Sequence, residues 1–268
     1  MEENQPKIII RDLCMKFPSK VNGVPLPVFE QINLEVQEGE LVCIVGPSGC
    51  GKTTLLNIVA GFLKATHGEI LIDGIQVNGP DHRRIFIFQE SAAFPWLTVE
   101  ENIGFGILDS SREERREHVN HYIDMVGLKG FEKAYPSELS GGMKQRVEIA
   151  RALVANPDVL YMDEPFGALD FFTRLRMRTE LISIWEREKK TILFVTHDVE
   201  EAVQLADRVV ILTQRPSSIR AITEVRLPRP RDLDSPAYIK IRSQIFDIMG
   251  LDHSGISFRR FGIDEMTG

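Results

Sequence analysis

No apolar run in this sequence approaches the roughly 18 to 20 residues that a helix needs to cross a bilayer, so no membrane span is expected. Cysteine is scarce. Cys14, Cys43 and Cys50 are the three present, without CxxC spacing, which argues against a disulfide framework or zinc site and fits a reducing compartment. The opening MEENQPK lacks the basic and apolar parts of a secretory signal, so a cytosolic protein is expected unless a partner holds it elsewhere. Basic residues are outnumbered, 32 to 39, and a net charge of −7 argues against a nucleic-acid surface. Internal repeats and low-complexity stretches are absent too, which leaves a single copy of one unit. What remains is 268 residues, 43% apolar and 26% charged, enough for one large core or a core with a smaller lobe.

β-Rich segments come first, at residues 8–17, 32–36 and 41–45, the last running directly into a glycine-rich loop. A helix is predicted over 52–60 and short strands over 69–73 and 85–88. The middle changes character. Thr98 with Glu101, and Ser111 with Glu114, each match a capping box at the start of a helical pattern, so residues 90–156 read as a helical lobe inserted into an α/β core. Apolar runs at 159–162 and 191–195 have the length of buried parallel strands, with a crossover helix over 173–189 between them. Strands are predicted again at 208–212 and 219–227, and Ser235-Pro236 opens a helix running to residue 249.

Gly46, Pro47, Ser48, Gly49, Cys50, Gly51, Lys52 and Thr53 satisfy G-x-x-x-x-G-K-[ST] at every fixed position, between an apolar strand and a helix. Glycines let backbone N–H groups turn inward around phosphates, and the helix N-terminus adds about half a positive charge. Lys52 is placed to reach the β- and γ-phosphates, Thr53 to ligate Mg²⁺, and Thr54 follows in the first helical turn. Cys50 lies inside this loop, so a thiol reagent is expected to block ATP binding. The strand 159–162 then delivers Asp163 at its C-terminal end, suited to Mg²⁺, and Glu164 next to it, suited to act as general base toward the attacking water.

Leu139-Ser-Gly-Gly-Met-Lys-Gln145, just before a helix, resembles the signature motif of ABC ATPases. The resemblance covers residues 7 to 250 and implies an α/β P-loop NTPase core with an N-terminal antiparallel β subdomain and an inserted α-helical subdomain. The corresponding bounds are 7–90 with 157–232 for the core, 91–156 for the helical part and 233–268 for a terminal helix and tail. It implies a head-to-tail dimer in which Ser140, Gly141, Gly142 and Met143 of one subunit close over the γ-phosphate held by the other. Met143 stands where the motif usually has glutamine, so only its backbone can contribute. Gln89 matches the glutamine that contacts Mg²⁺ and water, His197 the switch histidine, and Asp170 the loop that crosses the dimer interface. Phe17 matches the aromatic that stacks on adenine, or is simply a strand-end residue in the core.

A single ATPase unit without fused spans resembles the separate ATPase subunit of importers. The segments Phe94-Pro-Trp96, Phe166–Asp170 and Gln214-Arg-Pro, with Leu227-Pro-Arg-Pro-Arg231, are most similar to the nitrate/sulfonate/taurine branch. Implied partners are a second ATPase subunit, identical or not, transmembrane permease subunits and, indirectly, an extracytoplasmic solute-binding protein, with the chain peripheral on the cytoplasmic face. Phe94 and Trp96 would meet the permease, or else pack the lobe. Two other readings stay open: a soluble ABC ATPase without a permease, and a non-hydrolysing ATP-binding regulatory subunit. Residues 112–117 read as a solvated helix face, and residues 255–263 as a loose tail or a docking segment.

Overall fold

The computed structural model describes residues 5–18, 23–89, 92–107 and 111–250. The predicted tail at 255–263 lies outside the described residues. In β1 (Ile8–Phe17) the buried positions are Ile8 and Ile10, then Leu13 and Met15. The one-residue offset is absorbed by a register shift between Ile10 and Leu13, where Asp12 takes φ 45°. β1 pairs antiparallel with β2 (Leu26–Val36) on one side and β4 (His67–Ile72) on the other, and β5 (Ile75–Gln76) extends the sheet. The spatial order is β2-β1-β4-β5. β2 starts at Leu26, earlier than predicted. As an edge strand it tolerates Pro27, which reads as a strand breaker elsewhere.

The second sheet has the order β10-β9-β3-β8-β7-β6. Its members are β3 (Leu41–Val45), β6 (Arg84–Ile87), β7 (Val159–Asp163), β8 (Thr191–Val195), β9 (Arg208–Leu212) and β10 (Ile219–Glu224). All neighbours run parallel except β10, which returns antiparallel along β9. Strands β3, β7 and β8 are buried at every position, as expected of central parallel strands covered on both faces. Alternate residues serve two cores. Leu41, Cys43 and Val45 join the core that includes the helical segment, whereas Val42 and Ile44 join the core beneath the antiparallel sheet.

α1 (Lys52–Val59) follows β3, and α2 (Val99–Gly104), α3 (Arg112–Met125) and α4 (Gly141–Val154) lie between β6 and β7. Both predicted capping boxes form, with Thr98 and Ser111 each accepting from the N–H three residues on. The charged run 112–117 is exposed throughout. α5 (Phe171–Glu188) starts earlier than predicted because Asp170 caps it, α6 (Val199–Leu205) follows β8, and α7 (Pro236–Met249) opens on Ser235. β10 ends at Glu224, short of the predicted 227. Among the described residues no helix is long and apolar enough to cross a membrane.

Candidate functional site

The parallel strands β3, β7 and β8 deliver the predicted chemistry at one end of the sheet, where open α/β sheets collect ligands. After Val45 the chain enters the phosphate loop, in which Gly49 has φ 74° and Gly51 φ 105°. A Cβ on Gly51 would come 2.6 Å from Val28 Cγ1, so both conformation and space require glycine there. Lys52 is buried, and its Nζ donates to the carbonyls of Gly46 (2.9 Å) and Pro47 (3.2 Å), curling the side chain over the loop. Thr53 is exposed at the first turn of α1.

The Cys50 thiol is 1% exposed and packed in the core beneath the antiparallel sheet, and burial raises its pKa. The expectation that a thiol reagent blocks ATP binding is therefore corrected: the residue is in the loop, but its sulfur faces away from solvent as a protonated thiol. Alkylation of the native protein should leave ATP hydrolysis unchanged and label Cys50 only after unfolding. Peptide mapping of the alkylated protein checks this, and rapid native-state labelling of Cys50 would contradict it.

Asp163, the last residue of β7, is 3% exposed, and its buried Oδ1 has no hydrogen-bond partner among the described residues. Burial raises its pKa, opposed by a hydrogen bond from Thr53 and the charge of Lys52. Glu164 takes φ 47°, a left-handed conformation uncommon for a side chain of this size, and its N–H donates to Val195 O at 2.9 Å across to β8. That turn brings Glu164 Oε2 to 3.0 Å from His197 Nδ1. His197 in turn sits between two tethered neighbours. The Asp198 N–H donates to Thr196 Oγ1 (3.0 Å), Thr196 Oγ1 donates to the buried Glu201 Oε2 (2.6 Å), and Arg178 of α5 pairs with both Glu201 and Asp198. Thr196 belongs to the segment that carries the switch histidine, but Glu201 and Arg178 are supporting residues that no motif exposed.

One cleft is lined by Ser48, Gly49 and residues 51–54 of the loop together with Gln89, Glu164 and Arg215. The structure thus brings Gln89, exposed just beyond β6, to the phosphate loop and to Glu164. Its segment is fastened by Glu148 of α4, a buried residue missed in the sequence. One carboxylate oxygen accepts from Phe88 N (3.0 Å) and the other from Ala92 N (2.7 Å). Arg151, one turn on, donates to Ala92 O at 3.0 Å and lies 4.4 Å above the Phe94 ring. Buried Asn102 donates to the carbonyls of Phe94 and Leu97 and accepts from Phe94 N. Phe94 is half-buried, yet Trp96, stacked on it, is 70% exposed, and so is most of Phe105. Trp96 and most of Phe105 are thus left outside the packing of the lobe.

Other predicted residues lie apart from this cleft. Ser140 caps α4 by accepting from Met143 N (3.3 Å); Gly141 is exposed, Gly142 faces Leu169 and Ala168, and Met143 packs on the core. None of these residues lines the phosphate-loop cleft. Asp170 is exposed and caps α5 through Thr173 N (3.0 Å), and hydrogen bonds from the Thr173 hydroxyl and from its backbone N–H lower its pKa. Phe17 is 36% exposed at the end of β1, paired with Leu26, so it is not a core residue.

A family model described as ABC transporter matches residues 29–167. The chain belongs to the ABC transporter family. This ABC-type ATPase is 50% identical over 245 residues to an uncharacterised ABC transporter ATP-binding protein of Methanocaldococcus jannaschii, covering 91% of each chain. It is 47% identical over 232 residues to an aliphatic sulfonates import ATP-binding protein of Bacillus cereus, covering 86% of this chain and 91% of that protein. Among solved structures, a dimeric bacterial ABC transporter cassette superimposes with a TM-score of 0.74 at 33% identity, over 82% of this chain and all of the cassette. The same cassette in a post-hydrolysis state bound to ADP and phosphate matches equally well.

Proposed function

We propose that this ABC ATPase powers an importer for aliphatic sulfonates or a similar small anion of the nitrate, taurine or bicarbonate class, and hydrolyses ATP across a dimer. The observation that carries the reaction is the Glu164–His197 pair at the phosphate-loop cleft. Backbone N–H groups of the loop and Lys52 hold the phosphates. Glu164 takes a proton from the water that attacks the γ-phosphorus; the new P–O bond forms as the bond to the β-bridging oxygen breaks, releasing ADP and phosphate. His197 holds the Glu164 carboxylate in place, and Gln89 orients the water. The unpartnered Asp163 Oδ1 beside Thr53 fits a magnesium ion. Bound there with the triphosphate, the ion supplies neutralisation of phosphate charge.

The dimer reading rests on Ser140, Gly141, Gly142 and Met143. They form an N-terminal anion cradle that does not line the cleft of their own chain, so the cradle serves a nucleotide held by a second subunit. The dimeric state of the superimposable cassette supports this. Asp170, on the loop packed beside Gly142, belongs to the same face. Phe17 supplies an exposed ring for adenine, and Trp96 with Phe105 offers a permease contact. Sulfonate is favoured over the other anions by the relatives named for its import. Binding to permease subunits would hold the chain at the cytoplasmic membrane face. The test is reconstitution with the permease and solute-binding protein in proteoliposomes. ATP hydrolysis should rise when the binding protein carries an alkanesulfonate and not when it is offered nitrate or bicarbonate. Hydrolysis indifferent to permease and solute would instead support the soluble ATPase.

A further inference from the structure

The loop between β9 and β10 grips the phosphate loop at both ends. At its start, Leu212 packs so closely on Gly46 that a Cβ there would come 3.1 Å from Leu212 Cβ. At its far end, the buried Ser217 hydroxyl donates to Cys50 O at 2.7 Å, and its backbone bonds Val28 and Glu30 of β2. Arg215 lies between these two anchors, exposed, and lines the cleft with Ser48, Gly49, Lys52 and Glu164. Among the described residues that line the cleft, the one carboxylate is Glu164, which faces His197 at 3.0 Å.

We infer that Arg215 is a phosphate-binding residue of the ATP site, a second cation opposite Lys52 that grips the polyphosphate chain of the nucleotide. The inference rests on the ATP-site reading above and adds a residue to it. The chemistry is suited to the place. A guanidinium presents planar paired donors to phosphate oxygens. Its backbone is fixed by bonds at Ser217 and at Thr213, whose N–H donates to Ser218 O at 3.0 Å, so little loop ordering remains to be done on binding. The exposed side chain lines the cleft from a held base. Lys52 contributes from inside the loop, Arg215 from outside it.

The full-length protein, in chelator to remove metal, is titrated with a fluorescent ATP analogue, and inorganic pyrophosphate is used as competitor. Arg215→Ala should weaken both ATP and pyrophosphate by about tenfold or more, the size of a charge-assisted hydrogen bond. Arg215→Lys should recover part of each, and added salt should narrow the gap between wild type and Arg215→Ala. Unchanged ATP affinity in Arg215→Ala overturns the inference. So does weakened ATP with unchanged pyrophosphate, which would place the arginine on the base or ribose. Failure of the wild type to bind ATP at all, or of Lys52→Ala to lose it, would instead sink the ATP-site reading and leaves a recognisably different pattern.

Discussion

With Glu164→Gln, ATP turnover falls by roughly 10²–10⁴, the span of a lost general base, while ATP affinity stays that of the wild type. The amide keeps the shape and length of the side chain, so its neighbours need not move, but it cannot accept the proton of the attacking water. The surroundings fix the group for this one task. Its backbone is held at φ 47° by the bond to Val195, and its Oε2 is 3.0 Å from His197. The proposed phosphate contacts lie on other residues, Lys52, Arg215 and the loop amides, and would be untouched. ATP that binds and is not cleaved should keep the two signature cradles closed, so light scattering should show a dimer that persists with ATP and not with ADP. Phosphate release and nucleotide binding measured on one preparation separate the two effects. Wild-type turnover in this variant would remove Glu164 from its role.

The residues that make this prediction possible were legible because they travel with local patterns. Glycine spacing and a preceding apolar strand place Lys52 and Thr53, and a buried strand ending in two carboxylates places Asp163 and Glu164. Thr98 and Ser111 announce themselves as halves of capping boxes, whereas Ser140 and Asp170 stand out only through the motif resemblance, and their capping bonds to Met143 N and Thr173 N appear only in the fold. The misses share a cause. β5 is two exposed residues, Ile75 and Gln76, whose only strand signal is the neighbour they pair with. Cys50 sits in a ligand loop, yet its thiol faces a core assembled from β2 and β9, distant in sequence. Arg215 gains its place only because Ser217 bonds a carbonyl 167 positions earlier. Glu148 reads as one charge on an amphipathic helix; its partners are backbone N–H groups 56 and 60 residues away, which leave no mark on side-chain spacing.

Glu148→Ala should lower ATP turnover by about 10², the order expected when a reacting group is misplaced by an ångström, without weakening ATP binding. The carboxylate holds Phe88 N and Ala92 N, on either side of Gln89, and its removal frees the segment that sets Gln89 against the cleft. Glu148 lies two turns beyond the signature cradle on the same helix, about 10 Å along its axis, so in the proposed dimer a rigid element would join the partner's nucleotide to this chain's Gln89 segment. Glu148→Gln should fall between wild type and alanine, keeping one acceptor and turning a donor toward the other N–H. Stability separates this positioning role from simple structural damage. Burial raises the Glu148 pKa, against the opposing pull of its two backbone bonds. A folded pKa above the unfolded one contributes stability that is fully present below the unfolded value and is lost as pH rises through the folded value. The ionised carboxylate is therefore kept at a cost to the fold relative to its protonated form, and the advantage of wild type over Glu148→Ala in chemical unfolding should grow as pH is lowered toward the ordinary glutamate range. Turnover behaves oppositely, because protonation takes away an acceptor that the segment needs. A variant that lost turnover and ATP affinity together, with no such pH dependence, would show a damaged lobe and no clamp.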